Sequence, residues 1–457
     1  MSTLLALPGD ISHYTELRHH ELRKSFMMMV DGSLTDNAAS HSVGTSARVC
    51  RDGYWGFASE SSGVEANSQK LLSKANRNAQ AMSAFGSKQP LNLPTSHYRG
   101  EHIFQGKTPF TKQECIDWLQ TLDGLCRDKY PKLSSMQFFL SSEQHNKHLL
   151  TSTDSDVYSS VLRSECMCIF SIEGKDGQPV ELYDWISGKG GIADLDLNLS
   201  VMEQRLDELY QHLMAKREAV PAVGGNHTLI FAPTLTGMLA HEAMGHPCEA
   251  DIVQGGAATC ELLGEQVASD LITMVDFAHH YDGLETQIPV YADDEGTPAN
   301  DVVMIDKGVL NGFMHSRETS AEMEMPLTGN ARAYDINDEP LIRMRNTAIL
   351  PGTDSYNDMI EGVEQGYLLL SSSNGQADST TEFMFGVDLG YEIKNGKLGR
   401  AIKDTTVSGK AMDVLRSVDA VADDMQWECG GYCGKKQMML VSVGGPSLRA
   451  TAHLGGE

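Results

Sequence analysis

The sequence has little positive charge, no long apolar run and no regular set of cysteines. Of its 457 residues, 36 are Lys or Arg and 62 are Asp or Glu, which leaves a formal net charge of −26. This acidic excess disfavours binding to nucleic acid or to anionic membranes, because attraction to phosphate requires a basic surface. No apolar stretch approaches the roughly 20 residues of a transmembrane helix. We therefore expect neither a nucleic-acid partner nor a membrane.

The cysteines and the N-terminus bear on the cellular compartment. The nine cysteines are an odd number scattered between Cys50 and Cys433, which is not the pattern of a disulfide framework. Free thiols are typical of a reducing compartment. Residues 1–20 turn polar after Leu7 and lack the basic and apolar regions of a secretion signal. Both observations predict a cytoplasmic protein.

One short motif combines the residue types of a zinc hydrolase. Residues 241–246 read His-Glu-Ala-Met-Gly-His, the pattern HExxxH. The imidazoles of His241 and His246 can hold a metal ion, and the carboxylate of Glu242 can take a proton from an attacking water. The alternative interpretation is an ordinary helix with an exposed glutamate and two histidines that bind nothing.

The spacing of the two histidines predicts an unusual helix. On a regular α-helix, residues five apart lie about 140° apart around the axis, because each residue turns about 100°. A wider π-type turn would bring both imidazoles to one face, and such turns are frequent at functional sites. Pro247 lacks an N–H to donate, and Gly245 adds local freedom. We therefore predict a helix over residues 235–246 that loosens near its C-terminal end.

A catalytic zinc site usually has three protein ligands, so one more is needed. Spacing alone does not choose among the candidates, and each of them taken singly is more often structural. The candidates are Cys248, Glu249, Asp251, Cys260, His279 and His280, together with the distal Cys429 and Cys433.

Three other motifs carry weaker signals. Residues 293–297, Asp-Asp-Glu-Gly-Thr, favour an acidic turn before a strand over a calcium loop, because the EF-hand ligand spacing is missing. Arg343 and Arg345 fit either a clamp for a substrate carboxylate or two solvated side chains on a strand. The glycine-rich residues 188–191 favour a hairpin turn over a phosphate loop.

Hydrophobic periodicity predicts an α+β fold with two domains. Residues 1–217 would form an N-terminal domain of antiparallel sheet and helices, and residues 218–457 a mainly antiparallel β domain that carries the metal-binding helix. Thr111 and Glu114 form a capping box at one helix start. The predicted helices are residues 10–24, 64–85, 111–129 and 199–216. The predicted strands are residues 25–30, 46–58 and 227–231, with two or three more within 135–174. A turn is predicted at residues 31–41 and a long loop at residues 85–110.

Several ordered blocks of sequence resemble the TldD/PmbA metallopeptidase family, and in particular its catalytic, TldD-like members. The blocks are residues 239–246, 249–251, 293–297, 328–330, 343–347, 432–434 and 443–449, with a thinner likeness at 43–48 and 52–57. The resemblance implies that His241 and His246 are zinc ligands, that Cys433 is the distal third ligand and that Glu242 is the general base. It also implies one Zn²⁺ per chain.

The same resemblance implies a substrate and a partner. Members of the family hydrolyse unfolded or extended peptides, in the maturation of peptide precursors or in degradation. A catalytic subunit acts as a homodimer or as a heterodimer with a related TldE/PmbA-like subunit. One local departure is Pro247-Cys248 after the second histidine, and Cys429 lies close to Cys433, so both cysteines remain rival ligands.

Two alternative functions stay open. The first is a metal-stabilised subunit of a hetero-oligomer that binds peptides without cleaving them. The intact Glu242 counts against it, because a purely structural metal site needs no base. The second is a deformylase-like amide hydrolase with two histidines and one cysteine, and the extra residue in HExxxH counts against that.

Overall fold

In a computed structural model of the chain, the residues described are 5–7, 12–61, 68–86, 91–372, 375–377 and 380–456. They form mainly antiparallel sheets with helices packed against them, which confirms the α+β prediction. The division at residues 217 and 218 stays a prediction. No helix within these ranges is long and apolar enough to cross a membrane.

The N-terminal half is built on one seven-stranded sheet. Its strands are β1 (Tyr14–Val30), β2 (Ser33–Arg51), β3 (Tyr54–Ser61), β4 (Arg99–Ile103), β5 (Ser135–Thr151), β6 (Asp156–Glu173) and β7 (Pro179–Lys189). The order is β3-β2-β1-β5-β6-β4, and β7 also pairs with β6. All pairings are antiparallel except β4 with β6. The strands predicted within 135–174 are confirmed as β5 and β6.

The helix predicted over residues 10–24 is wrong, because the described part of this segment is strand β1. Its polar side chains suggested a helix, but several of them are buried against partners on neighbouring strands. Glu16 lies 3.3 Å from Arg48 on β2, and His20 hydrogen-bonds His145 on β5 at 3.0 Å. Tertiary pairing of this kind overrides local propensity. The turn predicted at 31–41 is confined to Asp31 and Gly32 and is wrong from Ser33 onward, since Ser33 already begins β2.

Three helices cover this sheet. They are α1 (Ser68–Met82), α2 (Lys112–Lys129) and α3 (Leu199–Arg217), and all three were predicted, although residues 64–67 of the first lie outside the described ranges. The capping box is confirmed, because Glu114 and Thr111 each accept a hydrogen bond from the other's backbone N–H. The loop predicted at 85–110 contains the short edge strand β4. The residues 188–191 end β7 and lead into a 3₁₀ turn, Ile192–Asp194, rather than a hairpin.

The C-terminal half contains two larger sheets. Its strands are β8 (Gly225–Phe231), β9 (Met274–Phe277), β10 (His280–Tyr281), β11 (Leu284–Glu285), β12 (Val302–Asp306), β13 (Val309–Leu310), β14 (Ala331–Arg332), β15 (Leu341–Ile342), β16 (Asn346–Ile349), β17 (Gln365–Ser371), β18 (Gly375–Ala377), β19 (Glu382–Val387), β20 (Leu389–Lys394), β21 (Lys397–Ala401), β22 (Thr405–Lys410), β23 (Ala420–Val421), β24 (Gln426–Glu428), β25 (Tyr432–Lys435), β26 (Gln437–Leu440), β27 (Ser442–Gly445) and β28 (Leu448–Leu454). Its helices are α4 (Pro233–Met238), α5 (Ala250–Gln254), α6 (Arg317–Met323), α7 (Tyr356–Glu361) and α8 (Ala411–Arg416).

The two sheets enclose the main core of this half. One sheet has the order β18-β19-β22-β28-β8-β17-β20-β21, with β23 also paired to β28, and the other has the order β13-β12-β9-β16-β27-β24. Parallel pairing joins β8 to β17 and β16 to β27. Strand β8, predicted at 227–231, leads directly into α4. Helix α4 lies so close to β27 that a Cβ on Gly237 would be 2.9 Å from the backbone nitrogen of Gly444.

The acidic motif at residues 293–297 forms a turn, as predicted, but it is buried rather than solvated. Asp294 hydrogen-bonds Lys147 of β5 at 2.7 Å, and Glu295 hydrogen-bonds Arg48 of β2 at 2.7 Å. The four side chains are largely buried, and buried charges are tolerated when they are paired. The turn therefore ties the C-terminal half to the N-terminal sheet.

Candidate metal centre

The HExxxH motif lies on a widened helix, as the spacing predicted. Helix α4 begins with Pro233 and continues as a π-helix over Leu239–Gly245, followed by a 3₁₀ turn over His246–Cys248. The backbone N–H of His246 donates to the carbonyl of His241, five residues back. One π turn therefore separates the two histidines, and their rings lie 5.1 Å apart between centroids.

A hairpin from the end of the chain brings a thiol to the same place. Strands β25 and β26 pair so that Cys433 lies opposite Met439, and Lys436 makes the turn with a φ of 59°. The Sγ of Cys433 lies 3.1 Å from the Nε2 of His246. One nitrogen of His241, one of His246 and this sulfur all lie within 4.8 Å of one another.

The side chains in this cluster have the chemistry that a zinc ion requires. His241 is only 3% exposed, and neither of its ring nitrogens has a hydrogen-bond partner among the residues described. Burial of such a group without a partner costs free energy, whereas a metal ion would satisfy one nitrogen directly. Two imidazole nitrogens and one thiolate match the softness and number of ligands in catalytic zinc sites. The residues present therefore fit the ion.

Electrostatics favour the anionic form of the thiol even without a metal. Burial raises the pKa of Cys433, but the nearby imidazoles of His241 and His246 outweigh it and lower that pKa to about 4. Burial lowers the pKa of His246, while its hydrogen bonds to Cys433 and Glu249 raise it to about 10. The metal-free cluster thus holds a thiolate beside an imidazolium, and the thiolate is the form that binds metal.

Glu242 lies on the open side of the cluster. Its Oε2 is 3.8 Å from the Nε2 of His246, and its side chain is 22% exposed. Glu249, by contrast, is fully buried behind the same imidazole, where its Oε2 accepts a hydrogen bond from the Nδ1 of His246 at 2.9 Å. Of these two carboxylates, only Glu242 is placed to meet a solvent molecule or a substrate.

The carboxylates considered as third ligands support the site from behind. Lys435, two residues after Cys433, lies 3.1 Å from Glu249 and 2.9 Å from Asp251. Glu249 orients the imidazole of His246, the usual arrangement behind a metal-bound histidine. The sequence alone does not predict these roles, although a carboxylate three residues after a motif histidine is a usable signal for the one at Glu249.

The other candidate ligands do not join the cluster in the described part of the chain. Cys248 and Cys429 are buried elsewhere, and Cys260 is exposed. His279 and His280 pack against Tyr291 in an aromatic group. The structure thus brings Cys433, rather than its rivals, to the two histidines.

Comparison with known proteins identifies the family. The model of the PmbA/TldA metallopeptidase C-terminal domain matches residues 224–454, and the model of domain 1 matches residues 15–79. The chain belongs to the PmbA/TldD metallopeptidase family. The C-terminal match includes the HExxxH motif and the hairpin with Cys433.

Relatives of this family match most of the length of the chain. A metalloprotease of Methanocaldococcus jannaschii is 29% identical to this chain, in an alignment that covers 97% of both proteins. A zinc metalloprotease TldD homologue of Saccharolobus solfataricus is 29% identical over 74% of this chain and 75% of the relative. The solved structure of TldE from Thermococcus kodakarensis has the same fold, with a TM-score of 0.73 at 18% identity and 96% coverage of both chains.

Both predictions for Arg343 and Arg345 are wrong, because both side chains are fully buried. Arg345 pairs with Asp276 at 2.8 Å. Arg343 donates to the carbonyl of Cys433 at 2.6 Å and so holds the hairpin from behind. They are neither a substrate clamp nor solvated. Their neighbours come from distant strands, which strand alternation could not reveal.

Proposed function

We propose that this chain is a zinc-dependent metallopeptidase in which His241, His246 and Cys433 hold one Zn²⁺ and Glu242 is the general base. The observation that carries the proposal is the cluster itself. Three potential ligand atoms lie within 4.8 Å of one another, and one of the imidazoles has no other partner among the described residues.

The residues of the cluster have distinct roles in the proposed reaction. When bound, zinc supplies Lewis acidity, which polarises a scissile carbonyl and acidifies an attacking water. Glu242 accepts the proton of that water at its carboxylate and passes it to the leaving amine. Glu249 holds the imidazole of His246 in one orientation through its Nδ1.

The proposed substrates are unfolded or extended peptides, in precursor maturation or degradation. Support comes from β18 (Gly375–Ala377), an edge strand of the nine-stranded sheet that contacts the π-helix. A Cβ on Gly375 would lie 3.0 Å from the sulfur of Met238, which directly precedes that helix. An extended peptide can add to such an edge through its backbone.

The proposed compartment is the cytoplasm, which fits nine cysteines that are all free. The proposed assembly is a homodimer or a heterodimer with a TldE/PmbA-like subunit. The full-length similarity of fold to TldE supports a related partner, since two chains of one fold can pair through equivalent surfaces. The non-cleaving peptide-binding subunit remains the second candidate, and Glu242 on the open side of the cluster argues for catalysis instead.

The test combines metal analysis with peptide cleavage. The purified chain, its Glu242→Gln variant and a Glu261→Gln control at an exposed position would be incubated with a mixture of unfolded peptides and examined by mass spectrometry. We expect about one zinc per chain in all three. Cleavage by the parent and the control, with a loss of 100-fold or more in Glu242→Gln, would support the proposal.

Other outcomes would contradict specific parts of it. Zinc bound with full cleavage by Glu242→Gln would remove Glu242 from the mechanism. Peptide binding without cleavage by any zinc-loaded variant, alone or with a TldE-like subunit added, would favour the binding subunit.

A further inference from the structure

A cavity of about 530 Å³ lies between the N-terminal sheet and loops of the C-terminal half. Residues of β4, β5 and β6 form one wall, and residues 288–294, 332–334 and part of β26 form the other. Met439 lines it and also packs against Cys433 in a small apolar cluster. The cavity therefore adjoins the hairpin that carries the thiol of the metal centre, and its volume suits a small ligand.

Most charged groups in the cavity wall are neutralised by their neighbours. Lys147 lies 2.7 Å from Asp294, and Lys189 is ion-paired with Glu285. Arg332 differs from both lysines. Within the described ranges it has no ion-paired carboxylate, and its one hydrogen bond runs from Nη1 to the carbonyl of Met344 at 2.6 Å.

The guanidinium of Arg332 is both buried and under-neutralised. Its residue is 8% exposed and lines the cavity. Burial first, and then the charge of Arg343, lower the pKa of Arg332 to about 10, although the carboxylates of Asp294 and Asp276 act in the opposite direction. A buried cation that makes no direct ion pair is costly and is stabilised by an anion that enters beside it. The N–H groups of Arg332 that do not donate to the carbonyl of Met344 can form the paired hydrogen bonds that a carboxylate accepts from a guanidinium.

One part of the wall suits an apolar group. Val157, Val161 and Leu162 of β6 line the cavity on one side, and Ile288 and Leu440 line it on the other. One free guanidinium next to an aliphatic surface is the complement of one carboxylate attached to an aliphatic side chain. A phosphate dianion would be expected to require a cluster of unpaired cations instead.

We propose that this cavity binds the C-terminal residue of a peptide, with the free carboxylate on Arg332 and an aliphatic side chain against Val161 and Leu440. The occupant rests on the proposed peptidase function, and the site deepens it by naming the end of the peptide that is recognised. Because the cavity adjoins the hairpin with Cys433, a peptide held here would keep its last residue next to the metal centre.

The test measures binding, so it does not depend on cleavage. Fluorescence anisotropy would follow an N-terminally labelled Ala-Ala-Ala-Leu peptide, as the free acid and as the C-terminal amide, on the full-length Glu242→Gln chain. We expect the acid to bind about tenfold or more tightly than the amide, since a charge-assisted pair is lost in the amide. Adding Arg332→Met should abolish that preference, whereas adding Arg400→Met, an exposed arginine on β21, should preserve it.

Two further measurements keep the test decisive. Val161→Trp leaves Arg332 in place but fills the cavity, so it should weaken binding of both peptides even if Arg332→Met fails to fold. The measurements would be repeated after zinc removal, because a carboxylate can also bind the metal. Equal binding of acid and amide, or an acid preference that survives Arg332→Met and disappears with the zinc, would overturn the proposal. Cleavage by the parent chain would still stand in either case.

Discussion

Two glycines in helical segments should respond differently to the same substitution. Gly237 belongs to α4, next to the metal centre, and Gly124 lies in α2, where a Cβ would meet nothing within 4 Å. Replacing glycine by alanine in a helix stabilises it by about 1 kcal/mol, because the unfolded chain loses freedom. This gain is common to both positions, so the difference between the two variants isolates the packing at Gly237.

The structure sets the size of that difference. A Cβ on Gly237 would lie 2.9 Å from the backbone nitrogen of Gly444 and 3.2 Å from the carbonyl carbon of Val443. Backbone atoms of β27 cannot rotate aside, so α4 must move by a few tenths of an ångström. Overpacking of this kind costs about 1–3 kcal/mol. We expect Gly124→Ala to stabilise by up to about 1 kcal/mol and Gly237→Ala to be about 1–3 kcal/mol less stable than Gly124→Ala.

Urea unfolding of both variants beside the parent chain would measure the difference. Because α4 continues into the π-helix with His241, Gly237→Ala should also weaken zinc binding in a chelator competition, whereas Gly124→Ala should not. Equal shifts of the unfolding midpoint in the two variants would refute the packing argument. Unchanged zinc affinity in a destabilised Gly237→Ala would show that α4 does not position the histidine.

Two further outcomes follow from the groups around the thiol. Glu249→Gln should lower zinc affinity about 10–100-fold in the same chelator competition, because it weakens the hydrogen bond that orients His246, and unchanged affinity would show that Glu249 does not position the imidazole. In the metal-free protein, the ultraviolet absorbance of the Cys433 thiolate should persist down to about pH 4 and be missing in Cys433→Ala. Folding lowers the pKa of Cys433. The ionised thiol therefore contributes its full stabilisation of the fold above the pKa of the unfolded thiol, and this contribution is lost as pH falls through about 4. If the thiolate absorbance instead disappeared with a midpoint near pH 9, the electrostatic argument would be contradicted.

Local signals predicted the helices well and the N-terminal strands poorly. The start of α2 follows from Thr111 and Glu114, which satisfy each other's backbone within four residues. The helix prediction for the start of β1 is wrong because the buried polar residues there have partners that are distant in sequence. His145, for instance, lies 125 residues after His20. No local pattern distinguishes a solvated helix from a strand whose charges are paired inside a sheet.

The sequence by itself determined the hexapeptide and the widened turn beneath it. Both depend on adjacent residues, since two histidines five apart can share a face only on a π turn and Pro247 has no N–H to donate. Only the tertiary structure decided which thiol lies beside them. Cys433 is 187 residues from His246, and the hairpin β25–β26 has to be placed before any spacing relates the two. The buried arginines and the carboxylate behind His246 were decided in the same way, because burial and ion pairing are properties of the folded chain.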